Sequence, residues 1–251
     1  RQSSTITRLR RFDEAYEVAL QGLGLAQRLT NSDPIDVRHK VRHMQAEISA
    51  GFPHTIRTNP KRNLHLALQH YERALPLAES IAASDANNIR ATRDFSGLLT
   101  RIGEVQLGLA DHASAIAAFE RASIIAERLL KGDPDSIDFL EAVALPLDRM
   151  AASQNSLKRY AEALPNAKRS LELYQRIGSI APKKLQAETV PSVRTRLGDC
   201  YEGLGDRAAA IDEYTKALEA AGVAEKTHGR PLTELRAFAN RRLAALRVSA
   251  K

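Results

Sequence analysis

The chain has 251 residues, 43% of them hydrophobic, 27% charged and 5% aromatic, with no Trp and a formal net charge of +7. It is too apolar for a disordered protein, and 13 Gly and 10 Pro are too few for a collagen-like or linker-dominated one. One Cys excludes an internal disulfide and leaves the redox compartment open, and no apolar run of about 18 residues exists to span a membrane. The opening Arg1-Gln2-Ser3-Ser4, without Met or an apolar leader, reads as part of a longer protein, either cytoplasmic or the extracytoplasmic part of a membrane-tethered one.

A period of about 48 residues organises the chain. Gly22-Leu-Gly-Leu-Ala-Gln-Arg-Leu29, Ala74-Leu-Pro-Leu-Ala-Glu-Ser-Ile81, Ala122-Ser-Ile-Ile-Ala-Glu-Arg-Leu129 and Ser170-Leu-Glu-Leu-Tyr-Gln-Arg-Ile177 align without gaps, at steps of 52, 48 and 48. Ala15, Ala67, Ala115, Ala163 and Ala210 keep the same step, as do the breaks at Ser32-Asp-Pro34, Ser84-Asp-Ala86, Gly132-Asp-Pro134 and Ile180-Ala-Pro182. Apolar and small residues recur at three and four, as in Ala115, Phe119, Ala122, Ala126 and Leu129, so each unit reads as two amphipathic helices around a short turn.

In chain order these are a partial unit at 1–31, units at 32–83, 84–131, 132–180 and 181–222, and a capping helix at 230–248 within a single domain. The match of Leu9-Arg-Arg-Phe-Asp-Glu-Ala15 to the close of a first helix places the start inside a repeat. The extra residues of the second unit fall in Gly51–Pro60, expected to be a longer exposed loop. Gly103, Ala115, Gly198 and Ala210 are small where paired helices must approach closely. Pro76, Pro146 and Pro165 fall within helices and should kink or shorten them. The fifth unit's second helix is expected to stop near Gly222. The cap turns Leu232, Leu235, Phe238, Leu243 and Leu246 inward and Arg236, Arg241, Arg242 and Arg247 outward. Stacking such pairs gives an all-α fold, a right-handed α-solenoid of antiparallel helix pairs.

The stretch from Val193 to Leu218 resembles a tetratricopeptide repeat (TPR), with Leu197, Gly198, Tyr201, Gly205, Ala210, Tyr214 and Ala217 at the family's offsets and Arg194 where its first aromatic would stand. Ile102, Gly103, Ala115, Phe119 and Ala122 match in an earlier unit, and Met150, Ala151, Ala163 and Ala167 more loosely, so the resemblance covers about residues 9 to 222. A usual repeat is about 34 residues; the surplus amounts to about seven residues, or roughly 10 Å, per helix. The long unit, with its Asp-Pro break and the Arg-rich Ile89-Arg-Ala-Thr-Arg-Asp-Phe95, resembles regions attached to bacterial eukaryotic-type serine/threonine kinases.

Motifs for chemistry are weak. Gly22-Leu-Gly24 and Gly203-Leu-Gly205 follow no strand and lead into no Gly-Lys-Ser/Thr. Arg93-Asp-Phe-Ser-Gly97 has no catalytic His-Arg-Asp loop to serve. His39 and His43 share a helical face, but a third ligand would have to come from His54, His65 or a carboxylate, and a surface pair is the simpler reading. Cys200 is expected to be a small buried hydrophobe. No catalytic residue, cofactor or metal is expected, and the absence of basic-aromatic alternation weighs against nucleic acid despite the positive charge.

The resemblance implies a protein- or peptide-binding scaffold whose first helices line a groove. Stepping by four and three selects Arg38, Val41 and Gln45 in the second unit, then Arg93, Gly97, Thr100 and Glu104 in the third. It selects Glu141, Leu145, Asp148, Ala152 and Asn155 in the fourth, then Glu188, Ser192, Thr195, Asp199 and Glu202 in the fifth. The later units are acidic and lack the Lys/Asn pattern that clamps a terminal carboxylate, so a basic peptide is the expected partner. A structural or self-association module, its groove filled by its own chain or a second copy, is the alternative.

Overall fold

The computed structural model describes residues 11–59, 62–85 and 87–248. They form ten α-helices and two short 3-10 turns, with no strand among the described residues. The helices are α1 (Phe12–Ser32), α2 (Val37–Gly51), α3 (Leu64–Ser84), α4 (Ile89–Gly108), α5 (His112–Gly132), α6 (Ile137–Ser156), α7 (Tyr160–Ile180), α8 (Thr189–Gly203), α9 (Arg207–His228) and α10 (Thr233–Val248). Adjacent helices pack in pairs, as the expected all-α repeat fold requires. The chain divides within α5 into two compact units, 1–125 and 126–251. None of the described helices is long and apolar enough to cross a membrane. The expected close of a first helix at residues 1–10 lies outside the described residues.

Local chemistry sets the helix ends. Side chains of Asp36, Asn63, Asn88, Asp111 and Asp206 accept backbone N–H bonds from the first turns of α2, α3, α4, α5 and α9, each such cap being worth about 1 kcal/mol. The connectors at 109–111, 157–159 and 204–206 share one geometry. Asp111 N–H donates to Gln106 O at 2.9 Å, Arg159 to Gln154 O at 2.8 Å and Asp206 to Tyr201 O at 2.8 Å. The middle residue is left-handed in all of them, Ala110 at φ 61°, Lys158 at 58° and Gly205 at 80°, which is the helix ending that a tight antiparallel return uses.

The small residues mark close crossings. A Cβ on Gly103 would stand 2.6 Å from the Phe119 ring, one on Gly198 2.6 Å from Tyr214 and one on Gly51 2.7 Å from Tyr71. At the same place in the fourth unit the pair is Ala151 and Ala167, both fully buried. There the crossing has a small side chain on each helix and no ring.

In the first unit Met44, Ala74, Phe95, Leu99 and Ile102 belong to one apolar core. In the second, Ala221 packs with Leu232, and Tyr214 with Leu243.

Several expectations need correction. The second helices α1, α3, α5 and α7 have 21 residues each and α9 has 22, whereas the first helices split into 20 for α4 and α6 and 15 for α2 and α8. The extra length is therefore not shared evenly. Helix α9 does not stop near Gly222 but runs to His228 and ends on left-handed Gly229, because Ala221 and Ala224 are still packing against Leu232 and Leu235. The segment after α2 is exposed only in part, at Phe52, Arg57 and Thr58. It forms a 3-10 turn, Phe52–Thr55, in which Pro53 and His54 are buried, and buried Asn59 donates to Pro53 O at 2.9 Å; Pro60 lies outside the described residues. Helices α3, α6 and α7 run through Pro76, Pro146 and Pro165. Only part of the cap's basic face points away. Arg242 Nη2 lies 2.6 Å from Glu202 Oε1, and Arg236 Nη1 3.4 Å from Glu225 Oε2.

The histidines do not gather as a metal site; no group of metal-ligating side chains forms among the described residues. Instead, His54 meets the Tyr16 ring edge-on at 4.5 Å and His70 joins fully buried Glu47. His70 Nδ1 is 2.6 Å from Glu47 Oε2 and 2.8 Å from Arg73 Nη2. An ionised carboxylate needs that nitrogen to donate, so we assign the proton to Nδ1, with Nε2 accepting from Tyr16 Oη at 3.4 Å. Arg73 Nε reaches Glu47 Oε1 at 3.1 Å, and His43 Nε2 stands 3.9 Å away. Burial pushes the Glu47 carboxyl up, but the hydrogen bonds from His70 and Arg73 outweigh it and hold it below the usual glutamate range.

Two outcomes are expected in urea melts. Gly198→Ala should lose about 1–3 kcal/mol because the methyl meets Tyr214, whereas Gly97→Ala, with nothing within 4 Å of its would-be Cβ, should gain about 0.5–1 kcal/mol of helix propensity. Equal changes would mean that the ring yields freely. Glu47→Gln should cost about 1–3 kcal/mol near neutral pH. Because the folded pKa is lowered, the parent's advantage is present above the unfolded value and lost as pH falls through the folded one. A gap that persists undiminished into acid would contradict the assignment.

Candidate functional site

The surface expected from the sequence starts on α2 and α4. Arg38 is exposed and paired with its own N-cap, Nη2 lying 2.7 Å from Asp36 Oδ2. Gln45 is exposed, as are Arg93 and Glu104 on α4. Glu104 lines a small pocket of about 180 Å³ with Thr55, Tyr71 and Arg101. Thr100 turns inward, buried, and donates to Ser96 O at 3.0 Å. Buried Met44, Phe95, Leu99 and Ile102 hold the opposite sides of these helices, leaving the polar row open.

On α6 and α8 the acids have a different fate. Glu141 is exposed and has no ion-pair partner among the described residues. Asp148 is only 6% exposed, with Oδ1 3.0 Å from Arg196 Nη1 and Oδ2 3.8 Å from Arg149 Nη1. Neither Asp148 Oδ1 nor Arg196 Nη1 makes a well-directed hydrogen bond, so the contact is electrostatic. Burial pushes the carboxyl up while the two guanidiniums oppose it. Asn155 donates to Arg196 O and accepts from the Cys200 thiol, each at 3.1 Å. Burial pushes that thiol up to about 11, fitting an inert core cysteine.

Thr195 is buried and donates to Ser192 O at 2.7 Å. Asp199 accepts the Tyr214 hydroxyl at 2.6 Å; burial raises its pKa and that bond works against the rise. Glu202 takes both Nη2 and Nε of Arg242, at 2.6 and 3.0 Å. Glu188 stands 3.8 Å from Arg230. Most of the acidic row is thus answered from within the chain. Stepping along one helix could not show this, since Arg230 and Arg242 come from beyond α9.

A second feature had no sequence signal. An open groove of about 590 Å³ runs between α1 and α2, with Val18, Gly22, Leu25 and Leu29 on one wall and Arg42, Gln45, Ala46 and Ser49 on the other. Leu25 is 57% exposed and Leu29 37%. These leucines look like core positions in any periodicity count. Only the packed structure reveals that they face solvent.

The comparisons agree with this architecture. Residues 191–222 match the tetratricopeptide repeat family model. No curated protein matches the sequence. Among solved structures, BtubC from P. vanneervenii is 17% identical with a TM-score of 0.58, over 95% of this chain and 92% of that one. A signal transduction ATPase with numerous domains and a TPR sensor, from Pyrococcus horikoshii, is 11% identical with a TM-score of 0.63, over 99% of this chain and 36% of that one. The apo form of RapI is 13% identical with a TM-score of 0.55, over 93% of this chain and 59% of that one. At such identities the likeness is one of fold. The family match is to residues 191–222, and the helix pairs of the chain share the fold of these solved structures.

Proposed function

We propose that the chain is a non-catalytic scaffold that binds a protein or peptide along the open side of its first helices. The observation that carries this reading is that polar side chains of the first helices are reachable from solvent within each unit, Arg38, Gln45, Arg93 and Glu104 in the first and Glu141 in the second, on helices whose other faces are buried. A preformed surface of this kind binds without the cost of ordering itself, and its charges mainly set selectivity and encounter rate. Preference for a basic peptide is supported by Glu141, exposed and without an ion-pair partner among the described residues, whereas Asp148, Asp199 and Glu202 have partners in the chain. The long repeat supports a place in a larger bacterial protein such as a serine/threonine kinase, and the TPR sensor of the Pyrococcus horikoshii ATPase is a parallel for such a module.

A randomised peptide library presented to the 251-residue chain and to Arg93→Glu and Glu104→Lys/Glu141→Lys variants tests this reading. The parent should enrich basic peptides, with about tenfold weaker binding, or 1.4 kcal/mol, in the double variant at unchanged helicity. No enrichment, or the same peptides from every variant, would overturn it. A kinase domain in the same reading frame is expected, and its absence from the complete reading frame would remove that part of the proposal.

A further inference from the structure

The small cavity between α3 and α4 has an internal reference in the fifth unit. There Tyr214 lies over Gly198, and its hydroxyl stands 2.6 Å from Asp199 Oδ1 and 3.1 Å from Glu202 Oε2. Arg242, from the helix that follows, completes the group by binding Glu202 at 2.6 and 3.0 Å. A phenol and a guanidinium are thus joined through carboxylates that the chain itself supplies. In the second unit Tyr71 lies over Gly51 in the same way, and Arg101, again from the helix that follows, faces its hydroxyl. Counting on from the glycine, however, Asp199 becomes Phe52 and Glu202 becomes Thr55. Thr55 faces the Tyr71 hydroxyl as Glu202 faces that of Tyr214, so the places correspond and the carboxylates are gone.

What stands there instead is the cavity of about 180 Å³, whose polar lining is Thr55, Arg62, Tyr71, Arg101 and Glu104. Arg62 comes from the connector that is longer in this unit, and its Nη2 lies 3.6 Å from the Cβ that Gly108 would carry at the end of α4. Two guanidiniums therefore share one cavity with a buried phenol, and neither has an ion-pair partner among the described residues. The volume is below the roughly 300–1,000 Å³ that encloses a drug-sized ligand and far above what one water needs, so it suits a single head group on a short stem. Two cations and the one acid, Glu104, leave a single positive charge in the lining. A carboxylate neutralises that charge, whereas a doubly ionised phosphate overshoots it. Guanidinium forks also match the two oxygens of a carboxylate with directed N–H bonds.

Resting on the scaffold reading above, we infer that this cavity receives a carboxylate, the head group of an Asp or Glu side chain on the bound partner. Its oxygens take the part that Asp199 and Glu202 play in the fifth unit, accepting from the Tyr71 hydroxyl and from the guanidiniums of Arg62 and Arg101. The partner thus completes a network that the chain completes for itself elsewhere. A partner of mixed charge satisfies both this cavity and the exposed Glu141.

Sodium acetate is the probe, titrated into the 251-residue chain against sodium chloride at equal ionic strength, with the arginine Nε–H resonances followed by NMR. Arg62 and Arg101 should shift saturably. The apparent affinity should fall about tenfold in Arg101→Gln and several-fold in Arg62→Gln and in Tyr71→Phe, a ring that Phe119 already places at the same crossing. Glu104→Gln should tighten binding, and Thr55→Glu should abolish it by returning a carboxylate to the site from within. Peptides selected from the randomised library should carry an Asp or Glu that selection on Arg101→Gln no longer retains. No shift beyond the chloride control, an undiminished response in Arg101→Gln, or tighter binding of inorganic phosphate than of acetate would overturn the inference. So would acetate binding with no acidic position in the selected peptides, since the carboxylate would then come from a free small molecule. In that case the peptides themselves keep the scaffold reading standing, whereas a library that yields none removes both.

Discussion

Close crossing of two helices over a missing side chain is the constraint on which the rest of the structure depends. Gly51 beneath Tyr71, Gly103 beneath Phe119 and Gly198 beneath Tyr214 put an aromatic ring where a methyl group would otherwise stand. The ring then fills the interval between the axes, and neighbouring alanines such as Ala67, Ala115 and Ala210 are fully buried around it. Dispersion contacts of this density are individually small and jointly large. The pair of buried alanines, Ala151 and Ala167, at the same place in the fourth unit shows that a ring is not required at every crossing.

That constraint explains how much could be read from sequence. Small residues recurring at a fixed step exposed the period, and the period gave helix pairs, their turns and the sides they bury. Cys200, predicted as a core residue, is fully buried with its thiol bonded to Asn155. Features that depend on contacts between distant residues were not legible. The packing of Pro53, His54 and Asn59 answers to Tyr16 and to the turn itself, and the length of α9 answers to Leu232 and Leu235. Neither leaves a periodic mark.

Charge was the least legible property of the candidate surface. A helix projection counts Asp148, Asp199 and Glu202 as one negative stripe, yet each meets a donor or cation from another helix. Burial makes such matching necessary, because an unmatched carboxylate in the interior costs far more than one in water. Glu141 is left facing solvent without an ion-pair partner among the described residues, and Glu104 is exposed as well. Surface chemistry in this protein is what remains after its interior charges have been matched.

The connectors carry a different consequence. Ala110, Lys158 and Gly205 share one left-handed conformation and one pattern of backbone bonds, so the return from first to second helix follows one main-chain path, to which Asp111 and Asp206 add side-chain caps at two of the three. Such joints are interchangeable parts. A gene encoding them can gain or lose a unit by unequal recombination without composing a new turn, since the bend accepts Ala, Lys or Gly while the joint is inherited whole.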